Sequence, residues 1–222
     1  MTFQVIQHLV WDNCQELQGI ADFNQKKVKV YINRGYYDFV RRTKCIADIV
    51  DITTVADQHS YTATDAANLA FVYKPYQVRY IEAGSTDRGD ILKYKDFSEI
   101  PDVKSAGTPF WYWTRGVMTR GEFEIGTHPV IGETAATLRV YAYMFPLADL
   151  SLDADEPLIK EAWQDALVDY ATWKLFKVYQ HNNREWKEKA REHKFNYMEM
   201  VDLANQEMIT DSDDVLEVID VY

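Results

Sequence analysis

A chain of 222 residues with 47% hydrophobic and 27% charged side chains can bury a sizeable core, as one domain or as a helical domain carrying an insertion. Its net charge of −11 argues against sequence-specific DNA or RNA binding, which needs a basic footprint. No apolar run reaches the roughly 18 residues that span a bilayer. Residues 1–18 lack the basic start and small-residue cleavage site of a signal peptide, so no membrane partner is expected.

In chain order, residues 3–17 read as a helix in which Val5, Leu9 and the Cys14/Leu17 pair share one stripe. A turn follows, and Asn24 suits the N-cap of a second helix running to about Lys44. Val28, Ile32, Gly35, Tyr36 and Phe39 recur there at helical spacing. A mid-helix glycine costs about 1 kcal/mol relative to alanine, so Gly35 points to close approach by another helix. Cys14 and Cys45 fall in helical segments and read as reduced, mostly buried thiols of a chain folded in a reducing cytoplasm.

The character changes at Ile46. Seven of the nine glycines and five of the six prolines lie between there and Leu152, cutting the segment into short pieces. Strands are expected over 46–54, 60–62, 70–73, 77–83, 91–94, 110–115, 117–125 and 136–145, several of them alternating polar and apolar residues. Together they read as an all-β insertion, a small sandwich or barrel.

Helical signals return after 150–157. Asp155 is a candidate N-cap, with Glu156 and Pro157 in the first turn. Leu158, Ala162, Ala166, Leu167, Tyr170, Ala171, Lys174 and Val178 then mark about six turns flanked by Trp163 and Trp173. A break at 181–183 precedes a fourth helix with the stripe Trp186, Ala190, His193, Tyr197, Met200, Val201 and Ala204, ending near Met208. The final residues, 211–222, contain five acids and no base, yet alternate with Val215, Leu216, Val218, Ile219, Val221 and Tyr222.

The expected fold class is therefore α+β. Helix pairs at 1–45 and 153–210 form a four-helix bundle, the β-rich insertion at 46–152 projects from one end, and 211–222 is an acidic, apolar arm.

Enzyme chemistry finds no purchase in this pattern. There is no phosphate loop of Walker type, no dinucleotide fingerprint, no nucleophile elbow and no Cys-x-x-Cys pair. A di-iron bundle needs Glu three residues before His on one helix face, and none of the five histidines has it. His193, on the apolar stripe, reads as a core or interface histidine. No catalytic residue, metal ligand or cofactor site is expected. The aromatic run 110–113 reads as the core and rim of a sheet, since residues of one strand alternate between faces. The alternative is a carbohydrate- or protein-binding module that uses Trp111 and Trp113.

Charge is unevenly distributed. Residues 1–45 carry seven basic against four acidic side chains, a net of +3. Residues 153–222 carry eight against seventeen, a net of −9. Such ends can meet within a subunit or between neighbours. Arg41, Arg42 and Lys44 are the candidates for contacts with acids on an adjacent copy.

Four segments, taken in order, resemble a known family. They are the helix VKVYINRGYYDFVRRT, the strand series GTPFWYW to GEFEIGTHPVIGETAATLRVYAYMFP, the acidic turn and helix LADLSLDADEPLIKEAWQDALVDYATWKLF, and the amphipathic helix 183–208. Across nearly its whole length the chain resembles phage head-to-tail connector proteins, the adaptor or tail-tubular family that sits beneath the portal. The resemblance implies a structural virion protein located in the neck and assembled in the host cytoplasm. It implies a dodecameric ring that contacts the portal on one side and a tail or nozzle protein on the other, with double-stranded DNA passing through its channel. An acidic lumen would repel that DNA. In such proteins C-terminal segments dock on the portal, and 215–222 is expected to do so as an extended arm, by strand addition to the portal or a neighbour.

Overall fold

The computed structural model of the chain describes residues 1–100, 105–117, 120–181 and 183–219, with 209–219 described as backbone. The described residues are α+β, with four α-helices and three β-sheets. The chain divides into two compact units, Met1–Ile46 with Ala148–Tyr222, and Ala47–Leu147.

The first unit is helical. Helix α1 spans Phe3–Asn13 and is followed by a 3-10 turn at Gln15–Leu17. Its buried face is Phe3, Ile6 and Val10, continued by Cys14 and Leu17. Val5 and Leu9, expected on that face, are exposed. Both stripes satisfy helical spacing, and Phe3 decides the rotation, because it is the larger apolar side chain and its neighbours share its face. Burial pushes the Cys14 thiol up to about 12, so it stays protonated and inert.

Helix α2, Gln25–Thr43, has Asn24 as N-cap, its side-chain oxygen accepting from the Lys27 N–H at 3.1 Å. The expected stripe is buried throughout. A Cβ built on Gly35 would lie 2.9 Å from Cδ1 of Tyr170, so glycine is what lets α2 approach the helix that bears Tyr170.

That helix, α3, spans Asp165–Tyr179 and starts later than expected. The preceding segment is drawn into other contacts. The Asp155 carboxylate accepts from the backbone N–H groups of Ser151 and Leu152 at 2.7 and 2.8 Å, closing a loop on itself where a helix cap was expected. Those bonds hold its carboxyl below the usual range. Tyr36 Oη accepts from the Leu158 N–H at 2.7 Å, and a 3-10 turn occupies Glu161–Trp163. Asn33 adds a two-way tie, with Oδ1 accepting from the Leu150 N–H at 2.8 Å and Nδ2 donating to its carbonyl at 2.9 Å.

Helix α4 runs from Arg184 to Ile219, far past Met208. Asn183 caps its start by accepting from the Trp186 N–H at 3.1 Å. All four helices contribute to one hydrophobic core, whose fully buried members include Ile6, Ile32, Phe39, Leu175, Phe176 and Tyr197.

Among its described residues the second unit has ten strands: β1 Ala47–Thr53, β2 Ser60–Tyr61, β3 Val72–Ile81, β4 Asp90–Ile91, β5 Lys93–Tyr94, β6 Ala106–Gly107, β7 Trp111–Arg115, β8 Glu124–His128, β9 Val130–Ile131 and β10 Thr137–Met144. The sheets run β1-β10-β3-β4, β2-β8-β7-β5 and β6-β9. Two separately expected pieces, 70–73 and 77–83, merge into β3 through Pro75. The strand accommodates this proline with a register shift, which leaves Tyr76 as the extra residue, and β4 reaches only Arg79 and Tyr80. Strand β10 alternates intermediate and buried residues from end to end, the pattern of a sheet with one covered face.

Candidate functional site

Among the described residues no group of three or more His, Cys, Asp and Glu could hold a metal ion, and no helix is long and apolar enough to cross a membrane. His193 forms a 2.7 Å pair with Asp169, tying α4 to α3. The features that stand out are charged knots and aromatic surfaces.

The first is built around Asp38 on α2. Arg41 and Arg42, three and four residues on, reach its two oxygens at 3.1 and 2.7 Å, and the Tyr197 hydroxyl of α4 donates to Oδ2 at 2.7 Å. Burial works to raise the Asp38 pKa. The bonds from Tyr197 and Arg42, with the Arg41 charge nearby, outweigh it and hold the carboxyl below its usual range. Burial and the hydrogen bond to Asp38 both push the Tyr197 hydroxyl up. Arg41 and Arg42 are thus intrachain partners of Asp38 first, and a contact with a neighbour must be made in addition to that pairing. The Asp-to-Arg spacing is the sequence signal that points to this pairing. Lys44 ends the helix in the left-handed conformation, with φ 55°.

The second is the aromatic run on β7. Trp113 is 6% exposed and packs against Phe97, with ring centres 4.7 Å apart. A Cβ on Gly126 would fall 2.2 Å from the Trp113 ring, so the indole lies flat on the β8 backbone. Trp111 is half-buried, with Lys95 Nζ 3.9 Å from its ring centre and the His128 ring stacked beside it at 5.8 Å. A sugar platform needs open indole faces. These are occupied, so the carbohydrate alternative finds no support.

The third surface was missed in the sequence. On the β1-β10-β3-β4 sheet, the larger of the two four-stranded sheets because its strands are longer, the face opposite the buried residues pairs Ile49 across strands with Tyr141. The bulged Tyr76, 51% exposed, stands over Tyr141 and Tyr143 at 6.3 and 5.0 Å. Beside them Arg139 grips Asp51 through two bonds of 2.7 and 2.8 Å. Alternation of Arg139, Tyr141 and Tyr143 announced an outward row, but the bulge that adds Tyr76 depends on pairing that no local pattern reveals.

The C-terminal arm departs from its expected form. Val215, Leu216, Val218 and Ile219 stand on the last turns of α4, not on an extended strand. No Gly or Pro separates Asn183 from Tyr222, so nothing stops the helix, and 215, 218 and 219 also fit helical spacing. Val221 and Tyr222 lie outside the described residues.

Charged and aromatic surfaces are thus the features that the described residues present. No curated protein matches the chain. The model of a phage head–tail adaptor family, the SU10 adaptor protein, matches residues 1–215, and the chain belongs to that family.

Proposed function

We propose that this head–tail adaptor closes into a ring of about twelve copies beneath the portal, extends the DNA channel and presents the platform on which the tail is built, in the manner of tail tubular proteins. The observation behind this reading is the family match over residues 1–215, nearly the whole chain. The helices act as a four-helix bundle that builds the ring. The β unit, with Ile49, Tyr76, Tyr141 and Tyr143 outward on its larger sheet, offers a partner surface, and the segment 215–222 docks on the portal or a neighbour. Arg41, Arg42 and Lys44 add contacts between copies. Neck assembly takes place in the host cytoplasm, and the ring needs no cofactor or catalytic residue.

Sedimentation of the full chain with purified portal rings tests this directly. Co-migration at a fixed stoichiometry, lost when 211–222 is removed while the melting temperature holds, is the expected result. A truncated chain that binds portal as well as the full chain removes the docking role from the C-terminal segment.

A further inference from the structure

The helical unit holds a concentration of positive charge at odds with its acidic end. Lys187, Arg191 and Lys194 follow one another at helical spacing on α4, and Lys177 joins them from α3. With Trp173 and Gln180 they line an open groove of about 450 Å3. Trp173 is half-buried, and its ring centre lies 3.9 Å from Lys174 Nζ and 5.8 Å from Lys194 Nζ. Lys177, Lys187, Arg191 and Lys194 are all exposed, and none has a carboxylate within ion-pair distance among the described residues. Burial and the charge of Lys177 lower the Lys174 pKa, as expected where cations crowd.

A groove with a cationic rim and an indole in its wall selects a ligand that is both acidic and apolar. The C-terminal segment of the chain has this character. Residues 211–222, DSDDVLEVIDVY, carry five acids, no base and six apolar or aromatic side chains. We propose that the groove between α3 and α4 receives the C-terminal segment 211–222 of a second copy of this chain. The segment cannot reach its own groove. Helix α4 is continuous from Arg184 to Ile219, and at 1.5 Å per residue Asp213 stands about 33 Å along the axis from Arg191. Tail to groove is a heterologous contact, one patch meeting a different one, and such contacts propagate around a ring. This inference rests on the ring reading and names one of its joints.

A charge-swap experiment tests it on the full chain. The groove variant carries Lys177→Glu, Lys187→Glu, Arg191→Glu and Lys194→Glu. The tail variant carries Asp211→Lys, Asp213→Lys, Asp214→Lys and Glu217→Lys. Ring formation on portal is followed by sedimentation velocity, with circular dichroism confirming the fold. Each variant alone should assemble about tenfold more weakly, or worse, than the wild type. An equimolar mixture should recover, because tails and grooves of opposite sign then alternate around the ring. The proposal is overturned if the groove variant assembles like the wild type or if the mixture does no better than its parts. If the wild type itself forms no ring on portal, the ring reading fails first and takes this joint with it.

Discussion

The two units of this chain reach a defined structure by different means. In the helical unit, side chains of one helix reach across long stretches of sequence. From α2 alone, Asn33 ties to Leu150, Tyr36 to Leu158 and Asp38 to Tyr197. In the β unit the decisive positions are those where a side chain is missing. Gly126 leaves room for the Trp113 ring, and Gly116, at φ 65°, lies where a Cβ would come within 1.8 Å of the Glu122 carbonyl oxygen. A helix fixes its own backbone and needs side chains to choose its neighbours. Short strands have little local stability and need their backbones to approach without obstruction.

This contrast orders the expected effects of substitution. The largest should come from Gly126→Val, which drives methyl groups into the Trp113 ring and the His59 carbonyl. A loss of about 3 kcal/mol or more, read by denaturant unfolding with tryptophan fluorescence, would match this account. Gly35→Val tests the one place where the helical unit also depends on a missing side chain, and overpacking Tyr170 should cost about 2 kcal/mol. Equal tolerance at both glycines would break the comparison.

Next comes the Asp38 knot. Asp38→Ala strips Tyr197, Arg41 and Arg42 of their acceptor and should cost about 2 kcal/mol. Its pH dependence has a definite sign. The folded pKa of Asp38 is lowered, so its contribution is complete above the ordinary carboxyl range and is lost as pH falls through the folded value. The melting difference between the wild type and Asp38→Asn should therefore stay constant from pH 7 to about pH 4 and shrink below that. The smallest effect is expected on the outer face of the larger sheet. There Asp51→Asn breaks a well-formed but solvent-screened pair with Arg139 and should cost no more than about 0.5 kcal/mol.

The same contrast explains what could be read from the sequence. The α2 stripe, its Asn24 cap and the reason for Gly35 were all legible, because helical spacing and capping are local. The α1 face is not legible in the same way, because two apolar stripes coexist in FQVIQHLV and only packing selects between them. The start of α3 was displaced because the carboxylate of Asp155 turned to a loop instead of a helix end. The alternation of 215–222 suggests an extended end, but the absence of a breaker is the stronger signal and α4 runs on to Ile219. Among the surfaces, Arg41 and Arg42 stand out in the sequence as candidates for contacts with a neighbouring copy, whereas their pairing with Asp38, three and four residues away, was not read from it. The Tyr76 cluster and the groove beside Trp173 are not visible there, since each joins elements whose pairing is set by the tertiary fold.

The most direct test of the central claim is electron microscopy of the full-length chain mixed with purified portal. The account predicts a closed ring of this chain seated coaxially on the portal, with a continuous channel through both. Portal particles that remain bare at saturating concentrations of the chain would contradict it.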